Sequence, residues 1–384
     1  MSQNRIRVLS VTKSTGGLMH YNTALVKRMN QTRFDVHVVC LSESNERYAE
    51  ELRALGVGAT PMEMERYAIS IAGDFRLANQ LVRFIREQKF DVVIGHGSKA
   101  GFLVRWAERQ TGVPSVYALA TLAIATRIHG QKAQVYKLLE RFGAALGGSI
   151  VTVAHSTRNE LIANGIIAPE RVTAILTGID LEKFSNRTER DAACRALGLD
   201  PTRPVVGWAA RLAPQKAPLD FVRAAVEIIR AVPSVQIYMA GEGELSAQTD
   251  ALIAELGLQS NIIRASWQTD VPKMLSAFDI YVLSSHWEGL PLSVLEAMAM
   301  GCATVATSVD GTPEVIEHGV NGYMMAAGDT ASLAQHVITL LQDPLHRRQV
   351  AEAGRQRVET HFAADRMVRE WEAYLVKTVQ AANK

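Results

Sequence analysis

The chain has 384 residues, 48% of them hydrophobic and 21% charged, with a formal net charge of +2. That length fits two domains better than one, and the composition is that of a globular protein with a core in each, which excludes disordered and fibrous classes. Its apolar runs are too short for a membrane-spanning helix, and the segment MSQNRIRVLS lacks the apolar stretch of a secretory signal. The cysteines, Cys40, Cys194 and Cys302, are scattered, without a C-x-x-C pair or metal-ligand spacing, and read as small buried hydrophobes of a reducing cytoplasm.

In chain order, Ile6 to Val11 reads as a strand, followed by Lys13-Ser14-Thr15-Gly16-Gly17 and a helix from about Met19 to Met29. Strands follow at Val36 to Leu41, Asp91 to Gly95, Pro114 to Leu119 and Ile150 to Ala154, with helices at Phe75 to Gln88, Lys99 to Gln110 and around Glu160. The polar stretch Glu182 to Pro204 reads as a connection. The alternation then restarts with strands Val205 to Ala209, Val235 to Ala240, Ile262 to Ala265, Ile280 to Leu283, Ala303 to Ala306 and Gly322 to Met325. Helices fall at Leu219 to Ala231, Ser246 to Leu256, Leu292 to Met300 and, last, Ala364 to Val379. Such alternation predicts parallel sheets covered by helices on both faces, in two doubly wound α/β halves.

Charge divides unevenly between them. Residues 1–185 hold 23 Lys and Arg against 16 Asp and Glu, and the remainder holds 18 against 23. This is either surface scatter or a first half that faces something anionic. No basic run is interleaved with aromatics, which argues against nucleic acid.

The most informative stretch runs from His286 to Gly301. It reads as strand, tight turn and helix, with Pro291 at the first helical position and Gly301 at the end. The backbone N–H groups of Gly289, Leu290, Leu292 and Ser293 then face outward at a helix start, a natural seat for phosphate. Glu288 and Glu296 flank that seat. In isolation two such glutamates are surface or capping residues, but the whole stretch favours a binding site.

Two glutamates separated by seven residues, in the setting EGLPLSVLEAMA, resemble the donor-site signature of the retaining glycosyltransferases of GT-B fold, family 4. The resemblance implies two Rossmann-like domains facing a central cleft. Residues 1–185, with a last helix in 364–384 that crosses back, would bind the acceptor, and residues 186–363 the nucleotide-sugar donor. Glu288 would meet the donor sugar and Glu296 the ribose. Ala210-Arg211-Leu212 with Lys216 resembles the loop whose two cations neutralise the donor diphosphate, although Ala217-Pro218 stand where a Gly is usual. Gly241-Glu242-Gly243 resembles the glycine turn that approaches the nucleotide. Trp267 lies in the loop that reads the base, where it either stacks or packs. Asp310-Gly311-Thr312-Pro313-Glu314 resembles a further family turn, with Glu314 structural. Gly16 and Gly17 resemble the N-terminal glycine loop, or are merely a turn; the resemblance implies that Gly17 approaches the donor phosphate and Gly16 the reacting centre.

One departure concerns the reacting centre. Ala120 occupies the position where the family usually carries a His, leaving His96 and His129 as candidates to approach that centre. The expected reaction needs no metal or other cofactor, and the sequence holds no Asp-x-Asp triplet. The donor would be a UDP-sugar, or next a GDP-sugar, with the leaving phosphate deprotonating the acceptor. The acceptor would be a saccharide or lipid-linked, in cell-surface polysaccharide or glycolipid synthesis. Arg127 to Arg141, with Lys132, Lys137, Val135, Tyr136, Leu138 and Leu139, is either an interfacial helix near anionic lipid or an ordinary helix with a wet face. Two rivals are a nucleotide-sugar 2-epimerase and a non-catalytic or partner-dependent sugar-nucleotide-binding subunit.

Overall fold

The computed structural model describes residues 5–14, 17–42, 46–64, 71–120, 131–185 and 187–383. They form two compact units, Met1–Gly178 with Ala364–Lys384, and Ile179–Ala363. The first division lies upstream of the expected 185/186 boundary because the supposed connection is itself folded. Helices Leu181–Ser185 and Arg190–Ala196 occupy it, the second capped by Glu189, whose carboxylate accepts the N–H groups of Asp191 and Ala192.

Among the described residues the first unit has a seven-stranded sheet: β1 (Ile6–Lys13), β2 (Phe34–Ser42), β3 (Gly58–Glu63), β4 (Val92–His96), β5 (Ser115–Leu119), β6 (Ser149–Thr152) and β7 (Val172–Ala174). Its order is β3-β2-β1-β4-β5-β6-β7, with every pairing parallel. β4 and β5 are buried along their whole length, as strands covered on both faces must be. The edge strands β3 and β7 were not expected from the sequence. β3 buries only Ala59 and Met62 and carries Pro61, which an edge tolerates, and β7 is three residues long.

The second unit has six strands among the described residues: β8 (Val205–Ala209), β9 (Gln236–Ala240), β10 (Ile262–Ala265), β11 (Ile280–Leu283), β12 (Ala303–Thr307) and β13 (Tyr323–Met325), in the order β10-β9-β8-β11-β12-β13, again all parallel. Helix Pro218–Ala231 lays Phe221, Val222, Ala225 and Ile228 on the sheet against Val206, Ile237 and Met239. Phe278 packs so closely on Gly207 that a Cβ there would stand 2.0 Å from its ring. All three cysteines are free and buried, as expected.

Helix Ala364–Ala382 belongs to the first unit. Trp371, fully buried, donates through Nε1 to the Tyr21 hydroxyl at 2.7 Å. The first unit therefore completes its core with residues that follow the whole second unit in the chain.

Candidate active site

The second sheet reverses its strand order between β8 and β11. Loops leaving two such neighbours at their carboxyl ends diverge, and a crevice opens between them. Tyr281 lies opposite Gly207 in register, so loops 210–217 and 284–291 emerge side by side.

These loops are laced together. Ser284 Oγ accepts from Trp208 Nε1 at 3.1 Å and lies 3.0 Å from the carbonyls of Lys216 and Ala217. The His286 N–H donates to the Gln215 carbonyl at 2.8 Å, and Gln215 Nε2 donates to the Trp287 carbonyl at 3.0 Å. The loop after β12 joins them: the Glu288 N–H donates to Asp310 Oδ2 at 2.7 Å, and the Gly311 N–H to the Gly289 carbonyl at 2.9 Å.

Glu288 is buried at the centre of this lacing. Its Oε1 accepts the Ser285 hydroxyl at 2.6 Å and the Lys216 ammonium, while no bond to Oε2 is made among the described residues. Lys216 and Glu288, adjacent in neither sequence nor strand, thus form one charged pair beside an open acceptor atom. Arg211, on the same loop as Lys216, is exposed. Ser285 and Asp310 were not singled out as site residues. The signal for Ser285 is a hydroxyl three residues before the glutamate. Asp310 is marked by its backbone, at φ +45°.

Ala217 is also left-handed, at φ +46°, and nearly buried. This explains why glycine is the usual residue in the resembling loop. The strain of about 1–2 kcal/mol for an L-residue there is offset by the buried methyl and by lower unfolded-chain entropy, each worth roughly 0.5–1 kcal/mol. Ala217→Gly is therefore expected to leave stability within about 0.5 kcal/mol, whereas the β-branched Ala217→Val should cost about 2–3 kcal/mol through strain and overpacking. Urea midpoints of the two variants check this.

Helix Leu292–Ala299 starts at the expected residue, but Pro291 lies just before it and not at the first helical position. Pro291 is its N-cap, with ψ of 104°, because its carbonyl already accepts the N–H of Val294 at 3.1 Å. The N–H groups of Leu292 and Ser293 belong to the first turn and have no intrahelical acceptor. At the other end Gly301, at φ +69°, donates to the Met298 carbonyl and Cys302 to that of Ala297, a Schellman closure that confirms the expected stop. Glu296 stands on this helix, half-buried. Burial raises its carboxyl to about 7, opposed by the charge of Lys183. A diol donating to it would favour the ionised form.

The glycine turn has a structural reason the sequence did not reveal. A Cβ on Gly241 would lie 2.0 Å from the Ala210 carbonyl oxygen, and one on Gly243 would lie 2.3 Å from that of Leu212. The turn thus packs backbone to backbone against the Arg211 loop, where Leu212 N–H donates to the Glu242 carbonyl at 3.0 Å. Gly241, Glu242 and Gly243, with Ser246, Asp250 and Arg264, line an open hollow. Trp267, 60% exposed, is in the loop that follows.

In the first unit the strand order reverses between β1 and β4. Gly17 begins helix Gly17–Arg28 after β1; Gly16 and His129 lie outside the described residues, as do Arg127 and the side chains of Lys132, Val135 and Tyr136. His96 ends β4 but points into the core instead of towards an open centre. It is 1% exposed, with Nε2 at 3.0 Å from Ser10 Oγ and its ring edge-on to Tyr21. Burial pushes its pKa down to about 3, so it is a neutral core histidine. Ala120 follows β5 directly.

Comparison with known proteins agrees with this geometry. A family model described as Glycosyl transferases group 1 matches residues 189–357, and one described as Glycosyl transferase 4-like domain matches residues 16–178. The D-inositol 3-phosphate glycosyltransferase of Frankia alni is 31% identical over 282 residues, 68% of each chain. The chain belongs to the glycosyl transferases group 1 family. This glycosyltransferase, whose co-substrate is a nucleotide sugar, is also similar to the UDP-Gal:alpha-D-GlcNAc-diphosphoundecaprenol alpha-1,3-galactosyltransferase of Escherichia coli, 28% identical over 323 residues and 81% of each chain. Its fold is GT-B, as expected. Anabaena HepE, solved with UDP and glucose, superposes with a TM-score of 0.83 at 20% identity, covering 97% of this glycosyltransferase and 100% of HepE. No helix among its described residues is long and apolar enough to cross a membrane.

Proposed function

We propose that this glycosyltransferase moves a sugar, with retention, from a UDP-sugar to a lipid-linked saccharide at the inner face of the membrane, in cell-surface polysaccharide or glycolipid synthesis. The observation that carries the reading is the Lys216–Glu288 pair beside the first-turn N–H groups of Leu292 and Ser293. In this reading the cation and the helix dipole would stabilise a leaving diphosphate, and the carboxylate oxygen would accept from sugar hydroxyls. The UDP-galactose and diphosphoundecaprenol in the Escherichia coli relative's name favour this donor and acceptor class.

In this reading the second unit holds the donor. Arg211 and Lys216 take the diphosphate with Gly289, Leu290, Leu292 and Ser293. Glu288 takes the sugar and Glu296 the ribose. Gly241, Glu242 and Trp267 face the base. The first unit takes the acceptor. The bond from the anomeric carbon to phosphate breaks, the acceptor oxygen bonds to that carbon on the same face, and the acceptor proton passes to the leaving phosphate.

The test is nucleotide diphosphate release from a panel of UDP-, GDP- and ADP-sugars. Slow release from a UDP-sugar alone, lowered about 10²-fold or more in Glu296→Ala, is the expected result. Release from a GDP-sugar instead would overturn the donor assignment, and undiminished release by the variant would overturn the role of Glu296.

A further inference from the structure

We propose that Asp310 is a positioning residue for the transfer, holding the backbone of Glu288 so that Oε2 of that glutamate faces the donor sugar. The proposal deepens the reading of Glu288 as the partner of the sugar, and rests on it.

Asp310 stands in the loop between β12 and helix Thr312–Val315. Its left-handed backbone, at φ +45°, is strained for an L-residue and free of strain for glycine. Strain of this kind persists only where the surroundings impose it, and it gathers at functional sites. Among the described residues three that are not glycine are left-handed, and two of them, Ala217 and Asp310, adjoin the Lys216–Glu288 pair. A glycine at 310 would relieve the backbone, but it has no side chain to do what the aspartate does. Asp310 Oδ2 accepts the Glu288 N–H at 2.7 Å, and the Gly311 N–H returns a bond to the Gly289 carbonyl at 2.9 Å. One bond runs in each direction between the same two pairs of neighbours, and together they clasp the turn that presents Glu288.

The loop does not need Asp310 to stay in place. At its base the Ser308 N–H donates to the Met325 carbonyl at 2.7 Å and the Val309 N–H to the Thr307 carbonyl at 2.9 Å. Thr307 Oγ1 donates to the Ser285 carbonyl at 2.5 Å, which ties the loop to the start of the glutamate's own segment. Removing the aspartate side chain therefore frees chiefly the Glu288 nitrogen. At the far end of Glu288, Oε1 is held by the Ser285 hydroxyl and the Lys216 ammonium. With Oε1 and the backbone nitrogen both fixed, the direction of Oε2 is fixed as well. A displacement of about 1 Å at such a group can slow a reaction about 10²-fold. Asp310 bonds the amide of Glu288, so in this proposal it acts through that residue and touches no substrate.

The test compares UDP affinity with UDP release from UDP-glucose and UDP-galactose, on the full chain. Asp310→Gly should keep the wild-type urea midpoint, because relieved strain offsets the lost bond. Its UDP affinity should change less than about threefold. Its kcat/KM for release from the sugar nucleotide that the wild type uses should fall about tenfold. Asp310→Asn tolerates the left-handed backbone and keeps an acceptor, so it should restore release to within about threefold of the wild type. In a Glu288→Gln background, Asp310→Gly should bring no further loss. Wild-type release by Asp310→Gly would overturn the proposal. Equal losses of release and UDP affinity would overturn it too, since the aspartate would then serve the fold or the diphosphate seat. So would Asp310→Asn as slow as Asp310→Gly, or a further loss in the Glu288→Gln background. These outcomes leave the reading of Glu288 standing. A wild-type chain that releases UDP from neither sugar nucleotide overturns that reading, and the role of Asp310 with it.

Discussion

Lys216→Met is expected to lower donor turnover about 10²–10³-fold and to destabilise the second unit by about 3 kcal/mol. The two losses have different origins. Turnover falls because a cation is missing where negative charge develops on the leaving diphosphate. Stability falls because Glu288, whose side chain is 7% exposed, keeps only the Ser285 hydroxyl as a partner on Oε1 and becomes an uncompensated buried carboxylate. The double variant Lys216→Met/Glu288→Gln should therefore recover most of the stability and none of the turnover. Urea unfolding and nucleotide diphosphate release on the same preparations check both. Recovery of turnover in the double variant would show that the lysine serves only to neutralise Glu288.

Between pH 7 and pH 5 the first unit is expected to lose about 2 kcal/mol through His96 alone. Its folded pKa of about 3 lies below the ordinary value of 6.5, with burial as the cause. The unfolded chain thus takes up a proton that the folded chain refuses. The stabilisation is fully present above pH 6.5 and is lost as pH falls towards 3. Among the described residues no partner meets the buried Nδ1, so a protonated ring would place a charge there that none of them compensates. His96→Asn removes the titration. Hydrogen exchange at the β4 amides, which reports on the first unit, should show a flatter pH dependence in the variant even if its stability at pH 7 is lower. Parallel pH slopes would mean that the ring is charged in the folded protein.

The sequence carried the strands because buried parallel strands are short apolar runs, and β11 was read at its observed bounds, Ile280–Leu283. It did not carry the edges, where burial is partial and Pro61 is tolerated. Nor did it carry helix Arg190–Ala196, which buries only Ala193 and Cys194 and so shows almost no apolar face. At the site, the helix start after Pro291 and the stop at Gly301 were legible because local backbone chemistry decides them. The bond from Lys216 to Glu288 was not, since it exists only because β8 and β11 are neighbours, a fact of topology rather than of either loop. His96 misled for a related reason: a histidine at a strand's carboxyl end resembles a site residue until burial is known.

The Trp371–Tyr21 bond has a consequence for the order of synthesis. A growing chain reaches Gly178 with strands β1 to β7 made, yet it lacks the helix that seals their core. The whole second unit must be translated first, which takes roughly 10–40 s at ~5–20 residues per second. During that delay Tyr21 and its apolar neighbours stay without their cover. The nascent first unit is then the stage most exposed to aggregation and most open to chaperones, and a nonsense codon anywhere between residues 179 and 363 would harm the first unit as surely as the second.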